Sequence, residues 1–274
     1  MTPASTSAAG VRTGTQSIER AVRILREVAM RGSAGWDLQE LAARCALNRP
    51  TVHRILRCLV EERLVEQRAS DKRYLLGPLN FELGFCVDSR TRLVEEIGTA
   101  VQCLARRLPK MAVLSVLRSG DDCICVARAG RAASEAAALR VGRRVALLSR
   151  SSGVAIAAAL PPREARALCA RSRQRLTHLS AEHLARAEEL IDTGRQRGYV
   201  LASGALWHGV HSLSVVFGPV AEPLGSVTIA GWGEAWPAGT VRALLAELQP
   251  VAQAITAAQA ALSAGQHVAT GGGA

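Results

Sequence analysis

Apolar residues in the first 80 positions recur at spacings of three and four, the period of an amphipathic helix. The first such helix is predicted to follow Ser17, a potential N-cap, and to end at Gly32. Its apolar positions are Ile18, Ala21, Val22, Leu25 and Val28. Their single stripe predicts a helix with one buried face.

A second, shorter helix is predicted over residues 38–44. Asp37 and Glu40 have the spacing of a capping box, in which each side chain binds a backbone N–H of the other. Trp36 and Leu41 occupy the positions of a hydrophobic staple across the same helix start. The sequence CALN then leaves only a tight connection to the next helix.

The third helix has Asn48 as N-cap and Pro50 in its first turn, where a missing N–H costs nothing. At about 100° per residue, one narrow arc holds the apolar residues Val52, Ile55, Leu56 and Leu59. The opposite side holds His53, Arg54 and Arg57. This helix therefore has one face for a core and another face for a different partner.

The stretch LVEQRASDKRYLLG alternates around a polar turn at Ser70 and Asp71 and predicts a two-stranded hairpin. Two helices joined by a tight turn and followed by a hairpin make a winged helix. In such a domain the second of the two helices enters a DNA major groove. The basic hairpin tip suits phosphate contacts and consists of Arg68, Lys72 and Arg73. Taken alone, the charged helix face would be only a solvated surface. The hairpin and the caps favour DNA binding.

Residues 78–108 carry a helical pattern in two pieces. The first apolar stripe is Leu79, Leu83 and Cys86, and the second is Leu93, Ile97, Val101, Leu104 and Leu108. Two stripes fit helices that pair between two copies of the chain and so set the spacing of two recognition helices. For the second piece, an ordinary helix that packs within its own domain is an equal alternative.

Beyond Pro109 the pattern changes to short apolar runs bounded by Gly, Pro and Asp. Strands are predicted within MAVLSVLRSG, DCICVARAG, ALRVGRRVALL, HSLSVVFGP and LGSVTIAGW. Helices are predicted over SSGVAIAAAL, between Ser180 and Gly198, and over residues 239–263. Grouped strands with helices between and after them predict an α+β domain with an antiparallel sheet.

Composition narrows the class of protein further. The 274 residues have 49% hydrophobic content and a net charge of +11, which favours a polyanionic partner such as DNA. Apolar runs stop short of the ~18 residues of a membrane span, and the start lacks a signal-peptide pattern, so we expect a cytoplasmic protein with no membrane partner. An odd set of seven Cys is typical of reduced thiols, interpreted here as small core residues.

The sequence offers no catalytic or metal motif. Cys123 and Cys125 share one face of a predicted strand but lack a second Cys pair or a close His, so burial is favoured over zinc. Nucleophile-elbow, phosphate-loop and complete dinucleotide-binding motifs are absent. We predict no enzyme activity, no cofactor and no metal.

These spaced motifs resemble the IclR family of bacterial transcriptional regulators. TQSIERAVRILREVA is similar to its opening helix, and LNRPTVHRILRCLVEERLVEQ with RYLLGPLNFELG is similar to its recognition helix, wing and linker. The resemblance implies operator DNA as partner, with Arg49 at phosphate and Thr51, His53, Arg54 and Arg57 at the groove or adjacent phosphates. Pro50 stands where the family commonly has Ser, which leaves Thr51 to act alone. The family also implies a homodimer or a dimer of dimers.

The resemblance continues, more weakly, to about residue 260 and implies a GAF-like α+β domain that binds a small molecule. GRRVALLSRSSGVAIAAAL, RQRGYV and GSVTIAG are similar to family segments around the effector. Carried over by position, the effector-binding residues are Ser151, Ser152, Gly153, Ser212, Thr228 and Ala230. Hydroxyls and N–H groups at a helix start suit an organic acid.

Departures from the family pattern change the expected ligand. Val154 replaces a Lys, and Ala202 replaces the Asp of members that bind small oxo acids. A more apolar pocket follows, in which Trp207 and Leu148 would cover an aromatic or hydrophobic acid and Arg150 or His211 would be its counter-ion. The alternative is a degenerate pocket in a domain that binds another protein.

The predicted organisation therefore has five parts. They are a disordered tail (1–15), a winged helix-turn-helix domain (16–77), a linker helix region (78–108), an effector-binding domain (109–263) and a flexible tail (264–274).

Overall fold

The computed structural model describes residues 15–109, 111–131, 139–220 and 222–270, and the chain divides after Cys86 into two compact units. Most of the predicted N-terminal tail lies outside the described residues, as do residues 271–274. The predicted C-terminal tail is wrong for residues 264–270, because the last helix continues to Thr270. The two helices of the predicted linker fall in different units.

In residues 15–86, the described part of the first unit, there are four α-helices and one hairpin. The helices are α1 (Gln16–Arg31), α2 (Leu38–Arg44), α3 (Arg49–Glu61) and α4 (Leu79–Phe85), and the strands are β1 (Val65–Gln67) and β2 (Tyr74–Leu76). Two predicted N-caps are confirmed, since Asp37 accepts the Glu40 N–H at 2.8 Å and Asn48 accepts the Thr51 N–H at 2.9 Å. The N-cap prediction for Ser17 is wrong, because α1 already begins at Gln16.

The core of the first unit lies between α1, α2, α3 and the hairpin. Its fully buried residues are Ile24, Val28, Leu41, Val52 and Leu56. Trp36 joins the hairpin to the helices, because its backbone pairs with Tyr74 in both directions and its indole donates to the Glu27 carbonyl at 2.8 Å. The hairpin is therefore fixed to the helical core by backbone hydrogen bonds as well as by apolar packing.

The described residues of the second unit form five α-helices and six strands. The helices are α5 (Asp88–Arg107), α6 (Ser151–Ala159), α7 (Pro162–Arg175), α8 (Ala181–Arg197) and α9 (Ala238–Thr270). The strands are β3 (Ala112–Ser119), β4 (Asp122–Gly130), β5 (Arg144–Ala146), β6 (Val200–Ser203), β7 (Val210–Phe217) and β8 (Gly225–Trp232). The sheet is antiparallel with strand order β5-β4-β3-β8-β7-β6, as an α+β fold requires. Sequence reasoning missed α7 and β6.

Each face of the sheet is covered by helices. One face packs on α5 and α9 through a core that includes Leu93, Ile97, Val101, Leu104, Leu213 and Ile229. The other face packs on α6, α7 and α8. The apolar stripe of α5 is thus buried within its own unit. Of the two alternatives for the second piece of the linker, the helix that packs within its own domain is therefore the one found. In α4, by contrast, Phe81, Leu83 and Phe85 are exposed.

The prediction that the cysteines are small core residues holds only in part. Cys45, Cys123 and Cys125 are buried, but Cys58, Cys86 and Cys103 are exposed. Burial is the main cause that raises the pKa of Cys123 to about 12 and that of Cys125 to about 11. Among the described residues, there is neither a cluster of His, Cys, Asp and Glu that would hold a metal ion nor a helix long and apolar enough to cross a membrane.

Candidate nucleic-acid interface and ligand-binding face

The free face of α3 is the candidate DNA-reading surface. Val52, Leu56 and Leu59 are buried as the periodicity predicts, so His53 and Arg54 are turned outwards and are exposed. Arg49 is exposed in the first turn, and Thr51 is half-buried beside it. The N-cap bond of Asn48 fixes where the helix starts and therefore which residues lie at its tip.

Arg57 lies one turn further along α3 and is paired within the helix. Its Nε lies 3.0 Å from Glu61 Oε1, and both side chains are largely exposed. A solvent-exposed pair of this kind contributes little to stability and opens easily. Arg57 is therefore still able to turn to a phosphate, at the cost of one weak contact.

The tip of the hairpin is less free than the sequence predicts. Arg68 forms two hydrogen bonds with Asp71 and donates to the Ser33 carbonyl at 2.8 Å, and Arg73 donates to the Gly35 carbonyl at 3.2 Å. The Arg68 guanidinium thus ties the hairpin to the segment between α1 and α2 instead of projecting into solvent. Lys72 is exposed, at a left-handed backbone position with φ of 59°.

In the second unit, the N-terminus of α6 faces the sheet. Ser151 and Ser152 in its first turn are buried, and the Ser212 hydroxyl on β7 donates to the Ser151 hydroxyl at 2.7 Å. Gly153 packs directly on the preceding turn, since a Cβ at this position would lie 2.2 Å from the Leu147 carbonyl oxygen. The helix start and the strand predicted to form the site therefore do meet.

The strands opposite α6 present small and hydroxyl-bearing side chains in rows. Ser212 is directly opposite Ala202 on β6 and Ala230 on β8. In the next row, Ser214 and Thr228 are joined through their hydroxyls at 2.8 Å. Thr228 therefore lies one row away from the Ser151–Ser212 contact, on the same face of the sheet.

An aromatic side chain and a cation stand together beside this helix start. The Trp207 indole donates to the Ser149 carbonyl at 3.1 Å, and the Arg150 guanidinium carbon lies 4.4 Å from the centroid of the indole ring. Trp207 is 40% exposed, so only part of the ring is covered. Burial, followed by the charge of Arg143, lowers the pKa of Arg150. A cation in such surroundings gains from an anionic partner.

Of two further predicted site residues, His211 lies on the other face of the sheet and Leu148 is buried. His211 is next to Ser212 on β7 and so points to the opposite face of the sheet, where its Nε2 donates to the Gly233 carbonyl at 2.8 Å and its ring lies 6.2 Å from that of Trp236. Its prediction as counter-ion at the α6 site is wrong. Leu148 is fully buried in the core on the α6 side.

Sequence reasoning missed three polar residues near this face. The Ser226 hydroxyl donates to the Ser152 carbonyl at 2.8 Å, and His183 Nε2 donates to the Leu148 carbonyl at 3.1 Å. Ser214 is the third, through its bond to Thr228. The alternation in HSLSVVF and GSVTIAG contains the signal for the two serines, because residues two apart share a face.

A winged helix followed in the chain by an α+β domain, with a polar helix start against its sheet, defines a class of DNA-binding transcriptional regulators. The profile described as "IclR helix-turn-helix domain" matches residues 17–69, and that described as "Bacterial transcriptional regulator IclR C-terminal" matches residues 86–257. The chain belongs to the IclR family.

Individual relatives agree with this assignment. The glycerol operon regulatory protein of Streptomyces griseus is 32% identical over 199 residues, which cover 73% of this chain and 77% of that protein. The HTH-type transcriptional regulator Rv1719 of Mycobacterium tuberculosis is 32% identical over 207 residues, 72% of this chain and 78% of that protein. A solved IclR homolog from Microbacterium hydrocarbonoxydans, complexed with 4-hydroxybenzoate, shares the fold with a TM-score of 0.69 at 17% identity, over 89% of this chain and 99% of that one.

Proposed function

We propose that this regulator responds to a small organic acid with an aromatic or otherwise apolar body. The acid binds between the start of α6 and strands β7 and β8, and α3 reads the operator through Thr51, His53 and Arg54, with Arg49 and Lys72 on phosphates. The cytoplasm, where the operator lies, is the proposed location.

The observation that carries this proposal is the hydroxyl pair of Ser151 and Ser212 at the first turn of α6, next to the stacked Arg150 and Trp207. Unpaired backbone N–H groups at a helix N-terminus attract a carboxylate, and a guanidinium beside them adds charge-assisted hydrogen bonds. The Ser212 hydroxyl donates to the Ser151 hydroxyl in this structure. A carboxylate that accepts hydrogen bonds from both hydroxyls would replace this bond and leave neither buried group unpaired.

The residues beside Ser212 and after Gly153 favour an apolar ligand body. Ala202 and Ala230 flank it on the neighbouring strands, and Val154 follows Gly153 in α6. None of these three offers a hydrogen bond to a polar ligand tail, whereas the indole of Trp207 offers a surface for an aromatic ring. The 4-hydroxybenzoate complex of the Microbacterium homolog supports the same ligand class.

A thermal-shift screen of the full chain against aromatic, fatty and short oxo acids tests the proposal. A ligand at about 100 times its Kd adds about 2.7 kcal/mol to the free energy of unfolding. We expect an aromatic acid to give this shift. Ser212→Trp should abolish the stabilisation by the aromatic acid. Arg150→Met should weaken it, and this smaller change tests the site independently of whether the Ser212→Trp variant folds. The exposed Ser203→Ala is the matched control.

The contrary result is an empty screen in which operator DNA still stabilises the protein. The second unit would then be a protein-interaction module, and Ala202 and Val154 would mark a lost pocket. A positive screen leads to the coupling test, because a ligand that changes operator affinity must change its own affinity by the same factor when DNA is bound.

Self-association is the second part of the proposal, as a dimer or a dimer of dimers. Phe81 and Phe85 pack edge to face with ring centroids 4.6 Å apart, and both are more than half exposed, as is Leu83. Contiguous exposed apolar side chains on one helix are typical of an interface. Sedimentation should give a lower mass for the double variant Phe81→Arg, Phe85→Arg than for the native protein. Val141→Arg, an exposed apolar residue of the second unit, should leave the mass unchanged.

A further inference from the structure

We propose that the second unit has an additional binding site for a small zwitterion with an apolar side chain, such as a free apolar amino acid or a short apolar peptide. The site is a cavity of about 610 Å³ between α5, α7, α9 and the sheet. None of the residues named above at the start of α6, on β7 or on β8 lines this cavity. Its volume falls within the usual range for small-molecule sites, about 300–1,000 Å³.

The apolar part of the cavity comes from four elements of the fold. Leucines line it from α5, β3, the segment before β8, and α9, namely Leu93, Leu117, Leu224 and Leu262, and Pro223 joins them. Leu117 and Leu224 are only half-buried, although they border a core. A ligand side chain that covers them removes apolar surface from water, which favours binding by roughly 25 cal/mol per Å².

The charged part of the lining is balanced. Arg90 and Arg118 provide two cations, and Glu164 and Glu222 provide two carboxylates. Arg118 is held by an ion pair with Glu164 and by a bond of 3.3 Å to the Gly120 carbonyl, and its side chain is only 24% exposed. Arg90 and Glu222 are exposed. A ligand with one carboxylate and one ammonium matches this lining, whereas a simple acid or amine would meet a like charge.

Part of the wall comes from the last turns of α9. Gln259, Leu262 and Ser263 line the cavity from the last turns of α9, beyond residue 257, where the match to the IclR C-terminal profile ends. Gln259 donates to the Ser263 hydroxyl at 2.9 Å, which keeps two polar groups together beside Leu262. The cavity is therefore lined in part by residues outside the segment that the profile matches.

Calorimetry with the full chain tests the proposal, with L-leucine, L-phenylalanine and L-leucyl-L-leucine as probes. We expect at least one of them to bind. Isocaproate, which lacks the ammonium, and isoamylamine, which lacks the carboxylate, should bind about tenfold more weakly, since one charge-assisted hydrogen bond is worth about 1.5 kcal/mol or more. Arg90→Ala and Glu222→Ala should each weaken binding by a similar factor, and Leu262→Arg should abolish it. The matched control for Arg90→Ala is Arg106→Ala, because Arg106 is also an exposed arginine of α5.

Three outcomes would overturn the proposal: no heat from any probe at millimolar concentration, equal binding of isocaproate and L-leucine, or binding that survives Leu262→Arg. Ser212→Trp separates the two sites. If it removes probe binding while Leu262→Arg does not, the zwitterion occupies the α6 site. If it removes aromatic-acid binding only, the two sites are independent, and failure at one leaves the other unaffected.

Discussion

The guanidinium of Arg68 and the carboxylate of Asp71 form a two-bond ion pair across the turn of the β1–β2 hairpin, with Nε–Oδ1 at 2.8 Å and Nη2–Oδ2 at 2.7 Å. The hydrogen bonds from Arg68 are the largest cause that lowers the pKa of Asp71 to about 2. Arg68, which the sequence predicts as a phosphate contact, therefore stabilises the turn of the hairpin.

Replacing Arg68 by Ala should return the pKa of Asp71 towards its ordinary value of 3.8. Because the folded-state pKa is lowered, the contribution of this pair to stability is present at neutral pH and is lost as the pH falls from about 4 to about 2. NMR titration of the Asp71 carboxyl measures the change. Arg73→Ala should shift it less, since Arg73 Nε lies 3.8 Å from the carboxylate. A native Asp71 that titrates near 4 would contradict this account.

Arg54→Ala should weaken operator binding by about 1 to 3 kcal/mol if Arg54 contacts a base edge. The side chain is exposed on the free face of α3, so its removal should leave the melting temperature unchanged. Gel retardation or fluorescence anisotropy on operator DNA measures the loss. Arg163→Ala, an exposed arginine in α7, is the control for general charge. Equal affinities of the Arg54 variant and the native protein would exclude it from the interface.

Local features were predictable from sequence because they depend on near neighbours. The N-caps at Asp37, Asn48 and Ser180 each accept an N–H three residues along. By contrast, α7 was missed because PREARALCARSRQR is rich in Arg and has few apolar residues to reveal a stripe, and β6 was missed because it has only four residues.

Long-range partners account for most of what sequence reasoning did not find at the candidate sites. The Ser33 carbonyl that holds Arg68 is 35 residues away in sequence, and Ser151 is 61 residues from Ser212. No local pattern encodes such pairs. His211 is a different case: strand alternation already places it on the face opposite Ser212, so this error was avoidable.

The cysteines should fall into two reactive classes. Cys58, Cys86 and Cys103 are exposed, and these thiols should react rapidly with a disulfide reagent at pH 8. Cys123 and Cys125 should react only after unfolding, because they are buried and their raised pKa values leave almost no thiolate. Counting released chromophore before and after addition of guanidinium chloride measures both classes. Rapid reaction of Cys123 in the native protein would mean that the core beneath α6 opens.

Gly153→Ala should destabilise the second unit although alanine is the better helix former. A Cβ at this position would lie 2.2 Å from the Leu147 carbonyl oxygen and 2.6 Å from the Leu147 Cα, and both are backbone atoms with little freedom to move. Overpacking of this kind costs about 1 to 3 kcal/mol, against a gain of at most about 1 kcal/mol in helix propensity. Urea unfolding measures the net loss.

Gly98→Ala is the matched control for that substitution. Gly98 also lies inside a helix, α5, but a Cβ there meets no atom within 4 Å. This variant should therefore be as stable as the native protein or more stable, by up to about 1 kcal/mol. If both variants gain stability, α6 is not pressed against the preceding turn. If only Gly153→Ala loses stability and it also loses aromatic-acid binding, the close approach of α6 to Leu147 is what holds the Ser151 hydroxyl against β7.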